Sequence, residues 1–233
     1  MTTTSRRRFL TTALGGGAAL GLGGCALTPG GASLASLTRP LNERIEAWLQ
    51  SQGPVPDFRP DQIEPSALLV NSFNGTPRLD GRAYRLAVGG LVQRPLSLSL
   101  ADLARLPQQQ MVIRHVCVEG WAAIVAWSGV RLADVLDLAR PSPLAGYLRF
   151  MSADGYHETW DRVTALHPQT LLATGMNGAV LPIENGFPVR LASPLKLGYK
   201  LSKWVTGIQL LDKLDPLRLG TWEDQGYEWF AGL

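Results

Sequence analysis

The chain has 233 residues, of which 45% are hydrophobic, and it carries 22 Lys and Arg against 19 Asp and Glu. Three of the basic residues, Arg6, Arg7 and Arg8, lie within residues 1–24, which contain no acidic residue, so the remainder is close to neutral. Because the remainder is close to neutral, its net charge does not support binding to nucleic acid or to an anionic surface. About 200 residues suffice for one well-buried domain.

The N-terminal segment predicts export. Ser5-Arg6-Arg7-Arg8-Phe9-Leu10 is a paired-arginine export signature, and the weakly apolar stretch 11–24 follows it. That stretch is shorter than the roughly 20 apolar residues a membrane-spanning helix needs, and its many glycines weaken a helix further. We therefore interpret residues 1–24 as a twin-arginine signal peptide and expect no permanent transmembrane anchor there.

Each of the two cysteines has its own predicted fate. Leu22-Gly23-Gly24-Cys25 resembles the cleavage box of bacterial lipoproteins, in which the cysteine receives the lipid. We expect Cys25 to anchor the chain to a membrane; the alternative is an ordinary signal peptide with a coincidental cysteine. If Cys25 is acylated, Cys117 has no partner in the chain, and it is then buried and inert, exposed and reactive, or bound to a metal.

Residues 25–66 are interpreted as a tether between the lipid and the folded body. The stretch 29–37 is rich in Gly, Ala and Ser, which is typical of a flexible linker. An amphipathic helix is predicted next, with Thr38 as its cap, Pro40 in its first turn, and Leu41, Ile45, Trp48 and Leu49 on one face. The prolines that follow, Pro54, Pro56, Pro60 and Pro65, favour an extended connector through solvent.

Residues 67–233 are predicted to form the body, with more short strands than helices. Alternating or β-branched runs predict strands at 84–92, 111–118, 147–152, 189–192 and 203–211. Helices are predicted after a capping box at Ser99, at 130–139 and at 163–173. This irregular order favours an α+β fold with mixed or antiparallel sheets over a doubly wound βαβ sheet.

The surroundings of Cys117 distinguish it from an ordinary core cysteine. A β-branched run leads into it, and Glu119-Gly120-Trp121 follows, which places a turn at the end of the strand. His115 lies two residues earlier and so on the same strand face. The chain lacks the CxxC, HExxH, GxxxxGK[ST], GxSxG and CxxCH motifs of other common sites. This setting suits a thiolate that binds a metal.

Several motifs in order identify a family. They are Cys117-Val118-Glu119-Gly120-Trp121, Trp127-Ser128-Gly129-Val130-Arg131-Leu132, His167-Pro168, Met176-Asn177-Gly178, Asn185-Gly186, Pro188-Val189-Arg190-Leu191 and Lys203-Trp204. With them the chain resembles the sulfite oxidase superfamily of molybdenum-cofactor enzymes over residues 71–226. Its periplasmic methionine sulfoxide reductase branch is the most similar. The resemblance implies a sulfite oxidase-type molybdopterin-binding fold with mixed β-sheets and short, irregularly placed helices.

The resemblance also implies roles for individual residues. Cys117 would ligate molybdenum, because a soft thiolate suits this metal, and the pterin dithiolene would supply the other sulfurs. Glu119 or His115 is a candidate for proton handling; Glu119 could equally orient the site or be a solvated residue. The residues expected to contact the molybdenum-molybdopterin cofactor are Asn71, Asn74, Gly75, Ser152, Asn185, Arg190, Leu201, Ser202 and Lys203.

The predicted activity is oxygen-atom transfer in the bacterial periplasm, most simply reduction of a sulfoxide, either of a small molecule or of an oxidised side chain. Gly120, Trp121, Ala122 and Ala123 stand where sulfite-oxidising members carry arginines, which disfavours sulfite. Sulfite-type oxidation is the enzymatic alternative, and a cofactor-free lipoprotein that binds a partner is the alternative of another class. A separate electron carrier is implied, either a haem-bearing membrane subunit or a cytochrome.

Overall fold

The computed structural model describes residues 41, 44–46, 48–49 and 53–233. The predictions for the export segment, Cys25, the Gly-, Ala- and Ser-rich stretch 29–37 and the cap at Thr38 lie outside these residues. Residues 41, 44–46 and 48–49 have helical backbone, as predicted. Within the described part of the chain, no helix is both long enough and apolar enough to cross a bilayer.

The body consists of ten strands and three short α-helices. In the first sheet the order is β2-β1-β10-β5-β6, in which β1 and β10 are parallel and the other pairs antiparallel. In the second the order is β3-β4-β7-β8, with β9 also on β7, all antiparallel. The strands are β1 Leu86–Gly90, β2 Leu96–Leu98, β3 Gln108–Val116, β4 Ala122–Arg131, β5 Tyr147–Ser152, β6 His157–Asp161, β7 Leu171–Met176, β8 Ala179–Val180, β9 Arg190–Ala192 and β10 Val205–Leu211, and the helices are α1 Leu100–Ala104, α2 Leu132–Ala139 and α3 Arg162–Ala165.

The mixed first sheet and the few short helices confirm the predicted α+β class. Its core is a cluster of fully buried side chains that includes Leu86, Phe150, Trp160 and Ile208. Helix α2 adds its apolar face to this cluster, with Leu136 buried, because its hydrophobic residues recur at helical spacing. The second sheet has its own core around Trp127.

A long hairpin of β3 and β4 places Cys117 at its tip. The two strands pair from Gln108 opposite Val130 to Val116 opposite Ala122, so the turn spans residues 117–121. In this turn the Cys117 amide donates to the carbonyl of Trp121 at 2.9 Å, and Gly120 adopts a φ of 91°, which glycine tolerates best. The thiol therefore follows the end of a strand, as predicted.

Strand β4 was missed because both of its faces are buried, which removes the polar alternation that marks a half-exposed strand. The proline-rich connector covers one face. Its Phe58 and Ile63 pack on the hairpin, the Phe58 amide donates to the carbonyl of Val112 at 2.8 Å, and the Glu64 amide donates to that of Ile124 at 2.9 Å. The connector thus lies along the sheet with Phe58 and Ile63 half-buried, while its four prolines are exposed to solvent, as predicted.

The predicted helix over 163–173 was also wrong. Helix α3 ends at Ala165, and β7 begins at Leu171. His167 precedes Pro168, and the residue before a proline is disfavoured in the helical region, so the helix ends early. The apolar residues after it extend the second sheet instead.

Two buried lysines hold the C-terminal segment against the first sheet. Lys200 donates to Glu158 at 2.5 Å and also to Glu223, and all three side chains are fully shielded from solvent. Lys196 donates to the carbonyl of Phe230 at 2.6 Å. Two carboxylates share the one ammonium of Lys200, and burial raises the pKa of Glu158 well above its usual range. The burial of the two glutamates therefore depends on the positive charge of Lys200.

We expect Lys200→Met to lower the free energy of unfolding by about 3–5 kcal/mol, because it leaves buried carboxylates without a cation. Urea unfolding followed by circular dichroism measures this change. Lys213→Met is the matched control, since Lys213 is exposed, and it should change stability by less than about 0.5 kcal/mol. Equal stability of the two variants would contradict this account of the cluster.

Candidate molybdopterin site

A cavity of about 380 Å³ opens beside the hairpin tip. Most of the residues predicted for the site line it, although they come from distant parts of the chain. The predicted residues in its lining are Asn71, His115, Cys117, Glu119, Asn185, Arg190, Leu201, Ser202 and Lys203.

The thiol of Cys117 is half-buried in this cavity, and it is the free cysteine of the described chain. Burial raises the pKa of the thiol, and the carboxylate of Glu119, 3.6 Å from the sulfur, adds to this effect. Without a cation next to it the sulfur is therefore held as a thiol. A bound metal reverses this preference, because a coordinating thiol is deprotonated.

Glu119 stabilises the turn that follows Cys117. Its carboxylate accepts hydrogen bonds from the indole of Trp121 and the side-chain amide of Asn71, both at 2.8 Å. These bonds lower the pKa of Glu119, so the exposed carboxylate stays ionised at neutral pH. Of the roles left open by the sequence, this geometry favours an orienting one.

His115 is buried below the turn and stacks on Trp121, with ring centroids 5.7 Å apart and planes 18° from parallel. Burial and the nearby charges of Arg190 and Lys203 lower the pKa of His115 to about 3. The imidazole is therefore neutral at physiological pH. Its Nδ1 atom is buried and has no hydrogen-bond partner among the described residues.

Arg190 brings a positive charge into the buried wall of the cavity. Its guanidinium lies 4.5 Å over the ring of Trp127 and donates to the carbonyls of Asn185 at 3.0 Å and Leu191 at 3.1 Å. In the described part of the chain no carboxylate lies within ion-pair distance of it. Burial lowers its pKa to about 9, so the group remains charged at neutral pH.

Lys203 adds a second cation to the same wall. Its ammonium donates to the carbonyl of Glu184 at 2.8 Å and to that of Asn71, and it lies 4.2 Å over the ring of Trp204. Burial, with a contribution from Arg190, lowers the pKa of Lys203 to about 8. Two cations bonded to carbonyls rather than carboxylates fit an anionic ligand.

Three predicted contacts lie outside the lining. The side-chain amide of Asn74 donates to the carbonyl of Asp154 at 3.1 Å, and Gly75 follows it in the same loop. Ser152 is buried at the end of β5, and its hydroxyl, like that of Ser202, has no partner among the described residues. The roles of these residues stay predictions.

The cavity fits the predicted cofactor on its own chemistry. It offers one thiol for the metal, two cations that form no ion pair with a described carboxylate, and buried hydroxyl and imidazole groups with no hydrogen-bond partner among the described residues. Buried polar atoms of this kind normally find a partner in a ligand or an ordered water. An apolar ligand would leave all of them unsatisfied.

Other lining residues were missed by the sequence reasoning. Tyr156, Tyr199, Trp222 and Tyr227 form an aromatic part of the wall. The run 222–230 is rich in aromatic residues, but its local sequence pattern does not indicate that it shares a cavity with Cys117.

The comparisons with known proteins agree with this geometry. Residues 73–217 match the oxidoreductase molybdopterin binding domain family, and the chain belongs to this family. The predicted sulfite oxidase-type relationship, the molybdopterin cofactor and the class of molybdenum-dependent oxidoreductase are thereby confirmed.

Three particular proteins are similar to the chain. A protein of Azospira oryzae provisionally named protein-methionine-sulfoxide reductase subunit YedZ1 is 38% identical, over 98% of this chain and 88% of its own. The protein-methionine-sulfoxide reductase catalytic subunit MsrP of Ralstonia nicotianae is 32% identical, over 91% and 70%. The sulfane dehydrogenase SoxCD of Paracoccus pantotrophus shares the fold, with a TM-score of 0.60 and 24% identity over 63% of this chain and 43% of its own.

Gly198 lets the backbone of the loop before β10 pass close to the hairpin tip. A Cβ atom at this position would lie 2.9 Å from Nε2 of His115 and 3.3 Å from the carbonyl oxygen of Val116. Both distances are shorter than normal contacts, and neither neighbour is a flexible chain end. Any side chain here would push His115 and the Cys117 turn out of place.

We therefore expect Gly198→Ala to reduce bound molybdenum and pterin to less than half of the wild-type content while the folded state survives. Metal analysis and fluorescence of the released pterin measure the content, and circular dichroism measures folding. Gly146→Ala is the control, because its new Cβ would meet only the carbonyl of Asp212 at 3.8 Å. Full cofactor content in Gly198→Ala would contradict the close approach.

Proposed function

We propose that the protein reduces sulfoxides, with oxidised methionine side chains as its substrate class. The observation that carries the proposal is the thiol of Cys117 at the hairpin tip, inside a cavity that combines apolar walls with two cations. The names of the Azospira and Ralstonia relatives, which match almost all of this chain, support the direction and the substrate.

The reaction breaks the S–O bond of the sulfoxide, consumes two electrons and two protons, and releases a sulfide and water. When bound, the molybdenum cofactor supplies two-electron oxygen-atom transfer, a chemistry that side chains lack. Cys117 would hold the metal as a thiolate. Arg190 and Lys203 would bind the anionic pterin, and Ser202 would donate a hydrogen bond to it.

Glu119 keeps the turn in one geometry. Its bonds to Trp121 and Asn71 fix the carboxylate, and the neutral imidazole of His115 supports Trp121 from below. The thiol is thereby directed into the cavity without a flexible loop. A preorganised ligand lowers the cost of binding a metal at this site.

We further propose that electrons arrive from a separate carrier, either a haem-bearing membrane subunit or a cytochrome. The Ralstonia relative is named a catalytic subunit, which implies that it works with another chain. The proposed place of work is the bacterial periplasm, with the protein exported through its paired-arginine signal and held at a membrane by lipid on Cys25. The motifs at residues 5–10 and 22–25 support this proposal.

The activity is tested with reduced viologen dye and methionine sulfoxide, on protein expressed with its signal intact. Wild type should oxidise the dye, and the rate of Cys117→Ala should be more than about a hundredfold lower. This loss exceeds the loss expected when a residue that only supports a metal ligand is replaced. Val163→Ala, exposed on α3, should keep the full rate.

The outcomes separate sulfoxide reduction from sulfite-type oxidation. If none of the sulfoxides tested leads to dye oxidation, while sulfite drives the reduction of an acceptor, the proposed direction is reversed. Absence of molybdenum from the wild type would contradict the role of Cys117 as its ligand.

The lipid anchor is tested by metabolic labelling with an alkyne fatty acid. Wild type should carry the label and sediment with membranes, whereas Cys25→Ala should lose the label and enter the soluble fraction. Cys117→Ala is the matched control, and it should keep the label. Label on Cys25→Ala, or none on wild type, would contradict the anchor.

A further inference from the structure

The C-terminal segment contributes side chains to the cavity, although it lies beyond the part of the chain that matches the family. The match ends at residue 217, whereas Trp222 and Tyr227 both line the cavity that contains Cys117. Both residues lie outside the family match, although the match to the Azospira relative, which covers 98% of this chain, includes them. Their contacts indicate what they do in the cavity.

Trp222 and Tyr227 form one surface with Tyr199, and we call these three residues the aromatic wall. The ring centroid of Tyr227 lies 5.5 Å from that of Tyr199 and 5.5 Å from that of Trp222. The first pair is edge-to-face, an arrangement that aromatic rings prefer. The wall presents ring carbons and carries no formal charge.

Buried contacts fix the position of the aromatic wall. Glu223, next to Trp222, accepts from the buried ammonium of Lys200, and the hydroxyl of Tyr199 donates to the carbonyl of Glu228 at 2.6 Å. Farther along, the indole of Trp229 donates to the hydroxyl of Thr159 at 2.8 Å. The segment is thus bonded on both sides of Tyr227, so the wall is part of a rigid frame.

The polar and apolar parts of the cavity serve different needs. Arg190, Ser202 and Lys203 supply the charge and the hydrogen bond that an anionic pterin requires. The wall carries no formal charge, and Tyr227 keeps 40% of its surface exposed. Partly exposed aromatic rings in a cavity favour contact with an apolar group of a ligand.

We propose that the aromatic wall determines substrate specificity by binding the apolar substituent of the sulfoxide, while the S–O group faces the Cys117 side of the cavity. This inference rests on the proposed sulfoxide reduction. It adds the feature of the substrate that the cavity recognises, namely one apolar substituent larger than methyl, such as the side-chain methylenes of an oxidised methionine or an aromatic ring, rather than two methyl groups. The wall residues are specificity determinants and take no part in the chemical step.

The test uses the cofactor-loaded, full-length enzyme and the double variant Trp222→Ala/Tyr227→Ala. With methyl phenyl sulfoxide the double variant should lose about tenfold in kcat/KM, because a ring contact is removed, mainly through KM. With dimethyl sulfoxide the change should stay below about twofold, since that substrate is too small to reach the wall. Trp222→Phe should retain most of the preference, and molybdenum and pterin content should match wild type.

A second readout needs no turnover. Isothermal titration calorimetry of methyl phenyl sulfoxide against the oxidised enzyme should give an about tenfold weaker dissociation constant for the double variant. Leu217→Ala is the control, because Leu217 is exposed and does not line the cavity. It should bind like wild type.

The possible failures are distinguishable. A wild-type enzyme that reduces no sulfoxide overturns the proposed function, and calorimetry then still decides whether the wall binds aromatic sulfoxides. Equal dissociation constants, or an unchanged ratio of kcat/KM for the two sulfoxides, in wild type and the double variant overturn the inference. Loss of molybdenum and pterin from the double variant also overturns it, because the wall would then belong to the cofactor.

Discussion

The buried guanidinium of Arg190 is the group on which the rest of the cavity depends; it stacks over Trp127, and its hydrogen-bond partners in the described part of the chain are carbonyls. A buried charge without a counter-charge is costly unless a ligand balances it. The guanidinium therefore favours an anionic ligand in the cavity. Burial, with a contribution from the charge of Arg190, also lowers the pKa values of His115 and Lys203, so that His115 is neutral beside the Cys117 turn.

A second pair of charges works in the opposite way. Lys196 and Lys200 are also buried, but they form ion pairs with Asp161, Glu158 and Glu223. They therefore stabilise the fold without requiring a ligand. They bind the C-terminal segment to the first sheet. Buried cations that pair with carboxylates thus stabilise the fold, whereas Arg190 and Lys203, which are bonded to carbonyls, belong to the binding site.

The sequence predicted most of the elements that carry a regular pattern. The capping box at Ser99 and the apolar face of α2 produced helices where they were expected, and β5 has the predicted bounds. Strand β4 was hidden because the connector buries its second face, and the helix over 163–173 was wrong because Pro168 ends it. In each failure a contact from a distant segment, or a single backbone restriction, outweighed the local pattern.

By itself the sequence determined the α+β class, the family and the residues around Cys117, since these depend on local pattern and on motifs in order. Only the tertiary structure decided that Arg190 and Lys203 lie together without carboxylate partners, and that Tyr199, Trp222 and Tyr227 share one wall. The physical reason is that charge balance and ring contact are properties of distances in space. Tyr199 and Tyr227, for example, are far apart in the sequence and meet only when the C-terminal segment has packed.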